Sequence, residues 1–122
     1  MDSQNDKITI RLSWPAKELS PNWRGHWAKK AEAAKVYRYE SFWRTLAITG
    51  SRRQWRKGKI TITAYPPNKK RRDLDNTFAS CKPAIDGLVD AGVFLDDSKI
   101  EYSINPWGDV VKGGLIVIEA EG

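Results

Sequence analysis

The chain has 122 residues and six tryptophans, which is enough for one domain with a single hydrophobic core and excludes a disordered tail. The formal net charge of +6 favours a polyanionic partner, with nucleic acid ahead of an anionic membrane. The single cysteine excludes an intrachain disulfide and a cysteine-based zinc site, so we expect any bound metal to be an oxygen-seeking cation.

The N-terminal half predicts a strand, a loop and a long helix. Apolar residues alternate with polar ones from Ile8 to Trp14, which predicts a half-buried strand that ends at Pro15. Residues 16–24 predict an irregular loop that either covers the sheet edge or contacts a ligand. A helix is predicted over Trp27–Ile48, with Gly50 as its C-terminal stop. We expect one face of this helix to meet the core or a dimer partner through Ala28, Ala31, Tyr39, Phe42, Trp43 and Leu46.

The C-terminal half predicts a strand, a helix and two further strands. Apolar and polar residues alternate over residues 60–65, which predicts a second strand that ends at Pro66 and Pro67. A second helix is predicted over Thr77–Ala91 with Asp75 or Asn76 as its N-cap, and Pro83 predicts a kink or a late start. Residues 100–104 and 115–120 predict the last two strands, joined by a long hairpin.

These elements indicate an α+β fold in one domain spanning residues 1–122. The predicted order is β-α-β-α-β-β, with a small mixed β-sheet packed against two helices. The sequence has no apolar run long enough to cross a bilayer and no signal-peptide pattern, so we expect a soluble cytoplasmic protein without a membrane partner.

Charge changes sign abruptly in the middle of the chain. Residues 52–72 carry only positive charges, and they end in the block Lys69, Lys70, Arg71 and Arg72. The next residues are Asp73, Leu74, Asp75 and Asn76, and the pair Asp96 and Asp97 follows about twenty residues later. Divalent hard cations prefer carboxylate oxygens, and a metal removes the cost of massed like charges. The pattern predicts a metal site beside a phosphate-binding surface, although an Asp-rich helix start is also common without a metal.

Lys82 is a further candidate because it follows Asp75 by seven positions. On a regular helix this spacing would place it above Asp75, where its ammonium group could neutralise a phosphate or stabilise developing charge. The alternative is a surface salt bridge to Asp86, which would contribute little.

Three runs together resemble the RusA family of Holliday junction resolvases: residues 71–76, residues 82–88 and residues 91–98. The run at residues 12–15 and the Lys112-Gly113-Gly114 turn also fit. The resemblance implies a small mixed-sheet fold acting as a homodimer with Mg²⁺ (or Mn²⁺ as a substitute), encoded by bacteria or by phages. In one form of the family, the helix lysine follows the second aspartate by four positions, whereas Lys82 follows Asp75 by seven.

The resemblance also implies roles for individual residues. The catalytic residues would be Asp73, Asp75, Asp97 and Lys82, and the metal ligands would be Asp73, Asp75, Asp96 and Asp97. DNA-binding residues would be Lys69, Lys70, Arg71, Arg72 and Asn76. The implied reaction is Mg²⁺-dependent hydrolysis that resolves a four-way DNA junction by paired symmetric nicks in recombination and repair. Two alternatives are a non-catalytic module that binds nucleic acid and a nuclease for flaps or forks.

Overall fold

The computed structural model describes residues 7–50, 54–95 and 97–122, which form a four-stranded mixed sheet with helices. The strands are β1 (Lys7–Leu12), β2 (Gly58–Tyr65), β3 (Ile100–Ile104) and β4 (Leu115–Glu121), in the spatial order β1-β4-β2-β3. β4 is antiparallel to both of its neighbours, and β2 is parallel to β3. The α+β fold and the mixed sheet predicted from the sequence are confirmed.

The alternating pattern of each strand determines which side chains enter the core. Ile8, Ile10 and Leu12 of β1 are buried, as are Ile60 and Ile62 of β2 and the alternate residues of β4. Since successive strand residues point to opposite faces, one face of the sheet carries the core. The first strand ends at Leu12, two residues before the predicted Trp14, and β2 begins at Gly58 rather than Ile60.

Helix α1 (Trp27–Thr49) is confirmed, but the face predicted to meet the core or a dimer partner is not the face that enters the core. The side chains of Tyr39 and Trp43 are 55% and 63% exposed, and the buried positions are instead Tyr37, Ser41, Thr45 and Thr49. Small hydroxyl side chains allow a neighbouring helix to approach closely, so the face of α1 that carries them is the one that is buried. The aromatic residues Tyr39 and Trp43 lie on the outside.

The second predicted helix is two helices, α2 (Leu74–Ser80) and α3 (Lys82–Asp90), separated at Cys81. Pro83 lies in the first turn of α3, where its missing amide has no intrahelical partner to lose, so the predicted interruption is confirmed. The predicted start at Thr77 and the N-cap at Asp75 or Asn76 are wrong. Asp73 is the N-cap, because its backbone is extended and its carboxylate accepts the amides of the next turn.

Helices α1 and α3 pack tightly against each other. The Ser41 Oγ donates a hydrogen bond of 2.6 Å to the Ala84 carbonyl oxygen, within the buried contact. At the edge of this contact, Arg38 donates two hydrogen bonds to the Asp90 carboxylate. The Arg38 guanidinium lowers the pKa of Asp90, and Asp90 raises the pKa of Arg38. This ion pair stabilises the fold above the pKa that Asp90 has when unfolded, and the contribution is lost as pH falls through the lowered pKa.

The N-terminal loop and the β3–β4 connection lie at the end of the sheet where β1 and β2 finish. A short 3₁₀ turn over Lys17–Leu19 anchors the N-terminal loop through the buried Leu19. The long connection between β3 and β4 continues along β2, because the amide of Gly108 donates to the Ala64 carbonyl oxygen. Among the helices in the described ranges, none has the length and apolar character needed to cross a bilayer.

We expect Gly87→Ala to lower the free energy of unfolding by about 1–3 kcal/mol. A Cβ at this position would lie 2.2 Å from the Arg38 carbonyl oxygen, which belongs to the backbone of α1 and cannot rotate away. Urea unfolding followed by circular dichroism measures the loss. A variant as stable as the wild-type protein would contradict the close helix contact.

Candidate functional site

The cationic block after β2 is held in a defined conformation by one of its own side chains. The Arg72 Nη1 donates to the carbonyl oxygens of Asn68 and Lys70, at 3.2 and 3.0 Å. The Arg72 guanidinium also lies over the Trp14 ring, 5.6 Å from its centroid, which is a cation–π contact. In addition, the Asn68 side-chain oxygen accepts the Lys70 amide at 3.0 Å. Arg72 therefore shapes the block, and its charge is half-buried rather than fully presented to solvent.

The other three residues of the block present their charges outward. Lys69, Lys70 and Arg71 are exposed, and within the described parts of the chain none of them forms a salt bridge. Uncompensated exposed cations on an ordered segment create a local positive potential. This arrangement suits the binding of phosphate oxygens.

The two aspartates that follow the block lie at the start of α2. The Asp73 Oδ1 accepts the amides of Asp75 and Asn76, at 2.9 and 3.4 Å. The carboxylates of Asp73 and Asp75 are both in exposed residues. Hydrogen bonds to the described residues engage only one oxygen of Asp73, which leaves the second oxygen and the Asp75 carboxylate for a ligand.

Of the second pair of predicted ligands, the structure describes only the backbone of Asp97, at the opposite end of the sheet. Asp96 lies outside the described residues, and for Asp97 only the backbone is described, in a 3₁₀ turn that leads into β3. Because Ile100 is paired with Gly58 in the parallel register, this turn lies beside the beginning of β2. Asp73 follows the other end of β2, and the eight residues of that strand span roughly 23 Å. Within one chain, Asp73 and the backbone of Asp97 therefore lie at opposite ends of β2.

The described residues place Asp73 and Asp75, half of the predicted ligand set, at the start of α2. Among them, no three His, Cys, Asp or Glu side chains are close enough to share an ion. Mg²⁺ is typically bound by one or two carboxylates together with waters and substrate phosphates. The pair Asp73 and Asp75 fits such a role, and the gathering of all four aspartates stays a prediction.

Lys82 is in a different setting from the one predicted. The helix is not continuous from Asp75 to Lys82, because it breaks at Cys81, so the spacing of seven residues does not place Lys82 above Asp75. The Lys82 Nζ donates to the Asp86 carboxylate at 3.1 Å, in an exposed pair that Arg38 also approaches. A catalytic role for Lys82 stays a prediction, and it would require this salt bridge to open.

Cys81, at the break between α2 and α3, is an unreactive cysteine. Its side chain is fully buried, and this burial raises the pKa of the thiol to about 12. The thiol is therefore protonated at physiological pH and is neither a nucleophile nor a metal ligand.

The sequence alone left open whether the N-terminal loop belongs to the site, and the structure places it there. A cleft of about 460 Å³ separates the loop from the cationic block. One wall carries Lys17, Ser20 and Asn22, and the other carries Lys70, Arg71 and Asp73. The contact of Arg72 with Trp14 joins the walls at the end of β1. An arginine and a tryptophan far apart in sequence gave no local signal of this contact.

We expect Asp73→Ala to lower the free energy of unfolding by about 1 kcal/mol, because it removes the cap of α2. Asp73→Asn should retain most of that stability, since asparagine is an equally good N-cap. Asp75→Ala should have a smaller effect, because its carboxylate only interacts with the helix dipole. Chemical denaturation of the three variants measures the difference, and equal stability of all three would contradict the capping role.

Comparison with known proteins gives one relative that matches most of the chain. An uncharacterized protein of Xylella fastidiosa strain Temecula1 is 33% identical over 121 residues, covering 93% of this chain and 76% of that protein. Identity at this level over this length shows that the two proteins belong to one family. The name of the Xylella protein states no function. No family model matches the chain.

A second group of relatives matches part of the chain. The crossover junction endodeoxyribonuclease RusA of Escherichia coli strain K12 is 41% identical over 59 residues. The corresponding protein of Enterobacteria phage 82 is 39% identical over 59 residues. Each match covers 48% of this chain and 46% of the relative, so the chain spans about half the length of these curated relatives. For that part, the resemblance expected from the sequence is confirmed.

Proposed function

We propose that this chain, which belongs to one family with the Xylella protein and is RusA-like over about half of its length, is an endodeoxyribonuclease that resolves four-way DNA junctions. One observation carries the proposal. The exposed residues Asp73 and Asp75 directly follow the ordered cationic block, and Asp73 lines the same cleft as Lys70 and Arg71. A nuclease needs this combination, because phosphate must be bound next to the groups that hold the metal.

Each residue would have a distinct part in the reaction. Lys69, Lys70 and Arg71 would hold the DNA backbone in register, contacts that give affinity without reading sequence. Asp73 and Asp75 would hold a divalent cation, Mg²⁺ or Mn²⁺. When bound, the cation would supply polarisation of the scissile phosphate and acidification of a water. Lys82 would stabilise the negative charge that develops on the phosphate.

A complete ligand set would require two copies of the chain. The corner at Asp73 and Asp75 and the turn at Asp97 belong to opposite ends of the sheet, so a homodimer would join the corner of one copy to the turn of the other. A two-fold dimer has two equivalent sites, which matches the paired nicks that junction resolution requires.

The outer face of α1 is a suitable surface for this dimer. It exposes Val36, Tyr39 and Trp43, which recur at helical spacing. The middle of α1 lies at the end of β1, where Tyr37 donates a hydrogen bond to the Ser13 carbonyl oxygen, and β2 is the next strand in the chain after α1. Antiparallel contact of two such helices would bring opposite ends of the two sheets together, as the divided ligand set requires.

The second candidate function is a non-catalytic module that binds nucleic acid. It is favoured by the exposed cations Lys69, Lys70 and Arg71, which form no salt bridge within the described ranges and can bind phosphate without a metal. Such a module would use the same cations and would not need the aspartates. A nuclease for flaps or forks differs from the first proposal only in substrate, so a panel of branched DNAs separates the two. In each case we propose the bacterial cytoplasm as the location, where host or phage DNA is found.

We expect Asp75→Asn to bind a four-way junction as tightly as the wild-type protein but to lose nicking in Mg²⁺ by at least about 100-fold. The change keeps the shape of the side chain and removes the charge that holds the cation. Asp109→Asn, at an exposed position of the β3–β4 connection, is the matched control and should nick normally. Labelled junctions separated on denaturing gels measure the nicks. Mg²⁺-dependent nicking by Asp75→Asn would remove the mechanism.

We expect two inactive variants, Asp75→Asn and Asp97→Asn, to restore nicking when they are mixed. In a shared site, a mixed dimer has one site with both substitutions and one site with neither, so the second site regains activity. If each site belonged to a single chain, every site would carry one substitution and the mixture would stay inactive. The variants are unfolded and refolded together to exchange subunits, and each variant refolded alone is the control.

A further inference from the structure

We propose that the N-terminal loop is the second wall of the DNA-binding groove and that Lys17 binds a phosphate of the strand held there. This inference rests on the proposed function and adds a residue to it that lies outside the Lys69–Arg72 block. The ligand class is the sugar-phosphate backbone of a nucleic acid. The inference depends on the cleft between the loop and the cationic block.

The charges that line the cleft favour a polyanion over a small apolar ligand. Its lining residues in the described chain include the cations Lys17, Lys70, Arg71 and Arg72, and Asp73 is the one acid among them. Pockets for small ligands are usually lined mainly by apolar and aromatic side chains. Here Ser20 and Asn22 add neutral hydrogen-bonding groups beside the cations. A phosphate backbone satisfies both kinds of group.

Lys17 has no other electrostatic role in the described structure. Its residue is exposed, and it forms no salt bridge within the described ranges. Its contribution to the fold is made by the backbone, because its carbonyl oxygen accepts the Ser20 amide at 3.1 Å. The side chain can therefore be changed without removing a salt bridge of the described structure.

The loop that carries Lys17 is ordered in advance of binding. Leu19, only 5% exposed, anchors it to the core. The Ser20 carbonyl oxygen accepts the Trp23 amide at 3.0 Å, and the Ser20 Oγ accepts the Asn22 amide at 3.1 Å. A wall that is already ordered loses little conformational entropy when DNA binds, so Lys17 adds affinity efficiently. A strand in this groove would also pass beside Asp73.

The test compares Lys17→Gln with Lys29→Gln. Both changes remove one exposed lysine charge, but Lys29 lies outside the cleft and lines a separate hollow with Glu18 and Glu32. Binding to a labelled four-way junction is measured by fluorescence anisotropy over a range of salt concentrations, in EDTA so that no strand is cut. We expect Lys17→Gln to bind about eightfold more weakly at 0.1 M salt, with the slope of log K against log salt reduced by about 0.9. Lys17→Arg should restore binding, and Lys29→Gln should match the wild-type protein.

The outcomes separate this inference from the proposed function. If Lys17→Gln binds with the affinity and salt slope of Lys29→Gln, while the wild-type protein nicks junctions in Mg²⁺, the inference is wrong and the nuclease proposal stands. If Lys17→Gln binds weakly but the wild-type protein nicks no DNA, the groove stands and the nuclease proposal is wrong. Thermal unfolding serves as the folding control, and the wild-type protein and all three variants should melt together.

Discussion

The parallel pairing of β2 with β3 is the constraint on which the rest of the structure depends. Parallel strands cannot be joined by a tight turn, so the chain must cross from the end of β2 back to the beginning of β3. The helices α2 and α3 make this crossing. The acidic residues at the two ends of the crossing are consequently separated by the length of the sheet. Every chemical proposal for this protein has to accommodate that separation.

Asp73 illustrates how one residue can serve both the fold and the chemistry. One of its oxygens accepts hydrogen bonds from the free amides at the start of α2, and the other is left for a ligand. The cap orients the carboxylate without consuming its charge, which a metal ligand must retain. Arg72 has the corresponding part among the cations, since its contacts hold the backbone on which Lys70 and Arg71 are presented.

The sequence was sufficient to predict the strands, the long helix and the interruption at Pro83, because each has a local signal in periodicity or backbone chemistry. It did not predict which face of α1 is buried. Ser41 and Thr45 are polar by composition, yet they are fully buried because they let α3 approach closely. Nor did it predict the contact of Trp14 with Arg72, because a tertiary contact of two distant residues leaves no periodic pattern. For the candidate site, sequence spacing identified the aspartates but contained no information on the distance between Asp73 and Asp97.

The burial of Cys81 has a practical consequence for studying this protein. Its thiol is protonated and enclosed, and it is the sole cysteine of the chain. A cysteine introduced on the surface would therefore be the one site in the folded protein that a maleimide dye can label. Pairs of such dyes on two copies would report distances between subunits by energy transfer, with the native thiol left in place.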